Sequence, residues 1–291
     1  MSKLAYLMRS VRFSMDRERQ ACPNCGGDSS FVVERKWAVT ALRRCAECLV
    51  LYRAPVDAPE EAASFYNEHY TQGFTTDLPS ADDLQRLIQS NWAGEKDYSY
   101  YIGVLAALGL KPRAALFDFG CSWGYGSHQF RKAGYRVLSY EISRQRGAYG
   151  AANLGVELVE DFEAWAASAS HSMDAFFSAH VLEHVPSPSK IVGLARQVLK
   201  PGGLFVAFFP NGSAPARATV PAWSKLWGEV HPNFLDDCFF NREIADRPRL
   251  FGSSPIEIDA RHADWLTHAD LPAAQYLNDL RGDEMFVAFR V

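Results

Sequence analysis

The chain of 291 residues predicts an α/β fold, with an open, mostly parallel sheet and helices on both faces, preceded by a small cysteine-rich module. Three observations carry this. From about residue 115 onward, short apolar runs alternate with helix-like stretches. A glycine-rich turn joins the first of those runs to a helix. Four of the six cysteines fall into two Cys-x-x-Cys pairs before residue 50.

The order along the chain follows from local patterns. Residues 1–20 form an N-terminal arm, where Leu4, Leu7, Met8, Val11 and Met15 fit a short amphipathic helix with a basic polar face, expected to dock on the protein itself. This arm has no sustained apolar core before a small-residue cleavage site, so it does not read as a signal peptide. Residues 21–56 hold Cys22-Pro-Asn-Cys25 and Cys45-Ala-Glu-Cys48. Two residues between cysteines let both thiolates reach one ion from a tight turn, and the spacing points to zinc. Phe31–Val33 and Trp37–Leu42 are strand-like and complete a zinc ribbon. With four protein ligands the ion has no open position, so its expected role is structural. Residues 57–112 read as a helical linker or cover, including the aromatic segment Ser64–Tyr70 and helices between about Asp82 and Leu110. Residues 113–291 form the main domain, with seven expected strands at 115–119, 136–140, 156–159, 174–179, 203–209, 255–259 and 285–289.

The segment Ala115–Ser143 is the most specific. Leu116, Phe117 and Phe119 make a strand with Asp118 near its end, and Gly120, Gly124 and Gly126 permit a tight turn and close ligand approach. The next strand ends on Glu141, where an acid can accept hydrogen bonds from ribose hydroxyls. This predicts a nucleoside-containing cofactor. A dinucleotide loop would read G-x-G-x-x-G, but the third glycine position is the bulky Gln129. No Lys-Ser or Lys-Thr closes the loop, so it is not a phosphate-binding P-loop. Gly120-Cys121-Ser122-Trp123-Gly124 is formally a nucleophile elbow, with Asp236 or Asp246 and His262 as partners. Hydrolases place several strands before the elbow, whereas here the sheet starts with it.

The pattern D-x-G-x-x-x-G-x-G resembles motif I of the class I S-adenosylmethionine-dependent methyltransferases, written D-x-G-C-G-x-G. The resemblance implies a Rossmann-like seven-stranded sheet. It implies that Asp118 and the loop residues Gly120, Cys121, Ser122, Gly124 and Tyr125 face the methionine part, and that Glu141 with Ile142 holds the ribose. Asp161 and Phe162 would meet the adenine, and Ser178 and His180 would line the pocket. Ser122 departs from the family pattern, which has glycine there.

Phe176–Pro186 is similar to the fourth-strand motif of small-molecule methyltransferases. It also spells His180-x-x-Glu183-His184, an inverted zinc-protease signature, but that must lie on a helix and this stretch runs into Pro186 and Pro188. His184 is one candidate general base. His231, in the Trp-, Pro- and Gly-rich stretch Pro210–Asn241, is the other; Trp223, Trp227 and Phe234 would complete an apolar acceptor pocket around it.

The ribbon and domain together resemble zinc-ribbon methyltransferases of bacterial sugar, polysaccharide and natural-product pathways, including those acting on nucleotide-linked deoxysugars. The expected function is methyl transfer from S-adenosylmethionine to an oxygen or carbon of a small, carbohydrate-like acceptor, in the cytoplasm. Net charge is −4, which speaks against nucleic acid or anionic membrane as partner. One alternative is an RNA methyltransferase that uses the ribbon for RNA contact. However, residues 1–60 carry 10 Lys/Arg against 7 Asp/Glu, without clustering beyond Arg43-Arg44. The other alternative is a non-catalytic cofactor-binding scaffold.

Overall fold

The computed structural model describes residues 3–36, 39–57, 77–228, 231–268 and 272–291. Trp37 and the segment Ser64–Tyr70 lie outside the described residues. Helix α1 (Lys3–Ser14) leads into the cysteine module. Met8, Val11 and Met15 are exposed, so these three do not dock on the protein as the arm's periodicity suggested.

The module is a four-stranded antiparallel sheet of β1 (Ser30–Lys36), β2 (Thr40–Cys45), β3 (Leu51–Ala54) and β8 (Asn233–Phe234). The fourth strand comes from the stretch Pro210–Asn241, some 180 residues further along. The ribbon is therefore stitched into the main domain.

Helices α2 (Ala81–Gln89) and α3 (Ser99–Ala107) precede the second sheet. That sheet contains β4 (Ala115–Phe119), β5 (Arg136–Tyr140), β6 (Met173–Ala179), β7 (Leu199–Pro210), β9 (Arg249–Ser253), β10 (Ala274–Tyr276) and β11 (Glu284–Arg290). Its order is β10-β9-β11-β7-β6-β4-β5. Only β11 runs antiparallel to its neighbours. Helices α4 (Tyr125–Lys132), α5 (Arg144–Leu154), α6 (Phe162–Ser168), α7 (Pro188–Val198), α8 (Ala214–Thr219), α9 (Asp237–Glu243) and α10 (Ala260–His268) connect the strands.

Both faces are buried, and side-chain alternation sorts them. Phe117, Phe119, Phe176 and Phe205 pack on one face, while Leu116, Phe177, Val206 and Phe208 pack on the other. The chain crosses from β4 to β5 on one side and reaches β6 on the other. The switch point beside β4 is where an open α/β sheet places its ligand crevice.

Two expected strands differ. Residues 156–159 contribute a single bridge, Ser139 to Leu158, beyond β5. Residues 255–259 are not a strand; on the side of β11 away from β7 the partner is 249–253. Pro255 lacks an N–H for a ladder, whereas Gly252 lets Ile256 and Leu277 close over the strand.

Candidate functional site

At the carboxyl end of β4 the chain enters the left-handed region at Gly120, with φ +83°. Gly120 N and Cys121 N both donate to Tyr140 O, at 2.8 and 3.0 Å. A Cβ at Gly120 would collide with both methyls of Val181. Ser122 also sits in the left-handed region, with φ +52°, the conformation that glycine adopts without cost. The loop is roofed by α5, where a Cβ on Gly150 would lie 2.9 Å from Trp123 O.

Glu141 closes the other side. Its Oε2 accepts from Ser122 N at 2.9 Å and its Oε1 from Ser143 N at 2.8 Å. Burial raises its pKa, while the Ser143 and Ser122 amides and Arg146 oppose that shift. A carboxylate with both oxygens anchored still has outward lone pairs to accept from a diol.

Between these groups lies a cavity of about 1140 Å³. Its walls include Gly120, Ser122, Tyr125, Glu141, Ile142, Asp161, Phe162 and His180 from the sequence-derived set, and also His184 and His231. Asp118, Cys121, Gly124 and Ser178 are not in the wall. Asp118 stands behind the loop, where its Oδ2 accepts from Ser127 Oγ at 2.6 Å, and Ser127 meets Ser139 at 3.0 Å. It thereby ties α4 and β5 to β4. Burial pushes its carboxyl up to about 7, against the Ser127 bond. Gly124 opens α4 with φ +85°. Asp161 caps α6 by accepting from Ala164 N at 3.0 Å, and Phe162 packs at a tilt against Phe117 and Phe119 while also lining the cavity.

His180 is half exposed, and its Nε2 lies 2.7 Å from Glu284 Oε1. Burial alone would lower its pKa, but Glu284 and Glu183 raise it. His184 and His231 face each other with ring centroids 4.9 Å apart. His231 Nδ1 lies 2.8 Å from Leu226 O, so Nδ1 carries the proton and Nε2 offers a lone pair. Burial lowers its pKa, which favours the neutral base. Beneath them, Glu183 is fully buried, and among the described residues its two carboxylate oxygens have no hydrogen-bond partner, His184 Nε2 standing 3.7 Å from Oε1. Burial pushes it up to about 7.

Sequence patterns alone missed part of this wall. Tyr98, which precedes α3, and Tyr100 and Tyr101 within it line the cavity, as does Arg146. The aromatic repeat Tyr98-Ser-Tyr-Tyr was the available signal. Gln129 docks that wall on α4, since its Oε1 accepts from Tyr98 N at 2.9 Å and its Nε2 donates to Lys96 O at 2.8 Å. Conversely, Trp223, Trp227 and Phe234 do not surround the acceptor space. They pack with Leu42 and Leu51 under the ribbon, because the ribbon sheet supplies the apolar partner they need. Cys238, outside the two cysteine pairs, is exposed.

The sulfurs of Cys22, Cys25, Cys45 and Cys48 lie within 4.8 Å of one another, with Cys22–Cys48 at 3.6 Å and Cys25–Cys45 at 3.5 Å. Tetrahedral thiolates about 2.3 Å from one ion would stand roughly 3.8 Å apart, so the set fits a four-coordinate ion with little adjustment.

A mostly parallel seven-stranded sheet with a glycine-rich loop and an acid at the switch point is the Rossmann-like fold of the class I S-adenosylmethionine-dependent methyltransferases. Residues 117–207 match the family described as Methyltransferase domain. The ubiquinone biosynthesis O-methyltransferase of Xanthomonas axonopodis pv. citri is 31% identical over 101 residues, covering 32% of this chain and 42% of that protein. The enzyme of the same description from Burkholderia thailandensis is 33% identical over 102 residues, again 32% and 42%. The chain thus spans about two fifths of the length of these curated relatives. Among solved structures, a SAM-dependent methyltransferase from Archaeoglobus fulgidus gives a TM-score of 0.48 at 13% identity, covering 72% of this chain and all of that one. The geranyl diphosphate C-methyltransferase of Streptomyces coelicolor gives 0.46 at 16% identity, covering 80% and 97%. No described helix is long and apolar enough to cross a membrane.

Proposed function

We propose that the protein transfers the methyl group of S-adenosylmethionine to an oxygen or carbon of a small, uncharged acceptor such as a sugar or natural-product hydroxyl. The observation that carries this reading is the placement of Glu141, bonded to the glycine loop through Ser122 N and still facing the cavity. A cavity of about 1140 Å³ exceeds the range of roughly 300–1,000 Å³ for one small ligand, leaving space for cofactor and acceptor together.

Bound S-adenosylmethionine would supply an electrophilic methyl group. Glu95, Asp97, Glu141, Glu160, Asp161 and Glu163 give the cavity wall a negative field that suits a sulfonium cation. Gly120 admits close approach, and Glu141 orients the ribose. On the acceptor side, His231 Nε2 takes the acceptor's proton, with His184 beside it. Alignment for in-line attack does the rest.

The same charges bear on the acceptor. Among the described residues the lining Lys and Arg are Arg146, which faces Glu141, and Lys190, which pairs with Glu163 at 2.6 Å, while the lining His180 is taken by Glu284 at 2.7 Å. A diphosphate-linked sugar would have to compete with these carboxylates for a cation, so the neutral hydroxyl is favoured over the nucleotide-linked acceptors that the resemblance allowed. Zinc is the ion we assign to the four cysteines, as a structural centre. Hydrogen bonds from the ribbon's Asn24 and Asn233 to residues 183–189 favour the ribbon as a brace of this site over the RNA-binding alternative.

The test is formation of S-adenosylhomocysteine with a panel of neutral sugars, phenols, diphosphate-linked sugars and RNA. Turnover confined to neutral acceptors supports the reading. Turnover only on diphosphate-linked sugars or on RNA overturns the acceptor assignment.

A further inference from the structure

The segment that carries His184 has no regular structure of its own. Residues 180–187 run as turns and bends between β6 and α7. Two asparagines hold this segment, and both belong to the ribbon. Asn24 lies in the first cysteine knuckle. Its Oδ1 accepts from Ser189 N at 2.9 Å and from Ser187 Oγ at 3.2 Å, and its Nδ2 donates to Ser189 Oγ at 2.8 Å. Its backbone carbonyl also accepts from Ser187 Oγ at 3.1 Å. Ser187 lines the cavity and caps α7 through Lys190 N.

Asn233 lies on β8, paired with Tyr52 of β3. Its N donates to Glu183 O at 3.2 Å and its Nδ2 to Val185 O at 2.6 Å. It therefore holds the carbonyls on both sides of His184. The neighbouring Pro232 O accepts from Arg53 N at 2.7 Å, which fixes the chain just after His231 to β3.

We propose that the ribbon is a working part of the acceptor site, with Asn24 and Asn233 as positioning residues that hold His184 opposite His231. The metal centre then acts on catalysis without touching substrate: it fixes the knuckle, the knuckle fixes residues 187–189, and the strand pairing fixes 231–234. The cofactor loop hangs from Tyr140 and Glu141 and meets the His184 segment where Gly120 packs on Val181, ahead of the residues that the two asparagines bond. The catalytic role of His184 rests on the methyltransferase reading, whereas the clamp itself does not.

The experiment uses the full metal-loaded chain and follows amide exchange by mass spectrometry, histidine Cε1 resonances by NMR, zinc content and S-adenosylhomocysteine affinity. For Asn24→Ala, exchange over 182–192 should rise about tenfold or more and the His184 resonance should move. The 120–132 peptide and the S-adenosylhomocysteine affinity should stay within about twofold. Asn24→Asp, which keeps both acceptor bonds, should restore most of the protection. Removing zinc from the wild-type protein should reproduce the Asn24→Ala pattern over 182–192. Should Asn24→Ala shed zinc, Ser189→Ala carries the test from the far side of the contact with the knuckle intact. Unchanged exchange over 182–192 and an unmoved His184 resonance in a zinc-loaded variant overturn the proposal. Absence of S-adenosylhomocysteine binding by the wild type would instead strike the methyltransferase reading, leaving the exchange result to stand alone.

Discussion

Replacing Glu141 by Gln keeps the shape of the side chain and removes its charge and one acceptor. In the native site Oε2 serves Ser122 N and Oε1 serves Ser143 N. A glutamine can serve one of these donors; the other then meets an NH2 group. A hydrogen bond to a charged group is worth about 1.5–3 kcal/mol, and a buried donor left unpaired costs about 1–3 kcal/mol. The bonds to a ribose diol weaken as well, because the acceptor is now neutral. The combined loss in binding is about 2–4 kcal/mol, or roughly 30- to 1,000-fold in Kd. Isothermal titration with S-adenosylhomocysteine at pH 8 reads this directly, with circular dichroism confirming the fold. The deficit should shrink as pH falls, because burial raises the pKa of Glu141 and the native side chain then loses its charge. A folded Glu141→Gln protein whose Kd stays within about threefold of wild type would refute the role given to this carboxylate.

Three further outcomes follow from the same geometry. Gly120→Ala puts a Cβ into the Val181 methyls at a φ of +83°, so it should cost about 1–3 kcal/mol in urea unfolding and weaken S-adenosylhomocysteine binding at least tenfold. Glu183 has a folded pKa near 7 against an ordinary 4.5, so it binds a proton more tightly in the folded state, and stability is lost as pH rises from about 4.5 through 7. Glu183→Gln should therefore gain roughly 3 kcal/mol relative to wild type between pH 4 and pH 8, read from paired urea curves; a pH-independent difference would show that Glu183 titrates normally. Cys45→Ser should abolish stoichiometric zinc and lower Tm by on the order of 5 °C or more, with amides of β1–β3 exchanging early, because the ribbon sheet relies on the ion for closure.

The half of the cavity proposed for the cofactor was legible in the sequence because its residues are local. Gly120, Ser122 and Glu141 lie within 22 residues, and one strand–turn–helix–strand unit brings them together. Even the Ser122 departure can be followed, since its left-handed backbone is the conformation a glycine would supply. The acceptor half was less legible because it is assembled from distant pieces. Trp223 and Trp227 looked like pocket aromatics, but their burial is decided by a ribbon more than 170 residues away in sequence, and no local pattern encodes that pairing. Asn24 read only as the spacer of a knuckle; its contact with Ser189 spans 165 residues. At the sheet edge, Pro255–Asp259 alternates like a strand. The true strand, Arg249–Ser253, hides behind Gly252, whose value lies in what packs over it.

The most direct test is the crystal structure of the zinc-loaded protein with S-adenosylhomocysteine bound. The ribose hydroxyls should lie on Glu141, the amino-acid end along Gly120–Ser122, and the sulfur should point toward the space between His184 and His231. A nucleoside bound elsewhere, or a folded protein that takes up none at saturating concentration, would contradict the assignment of this pocket.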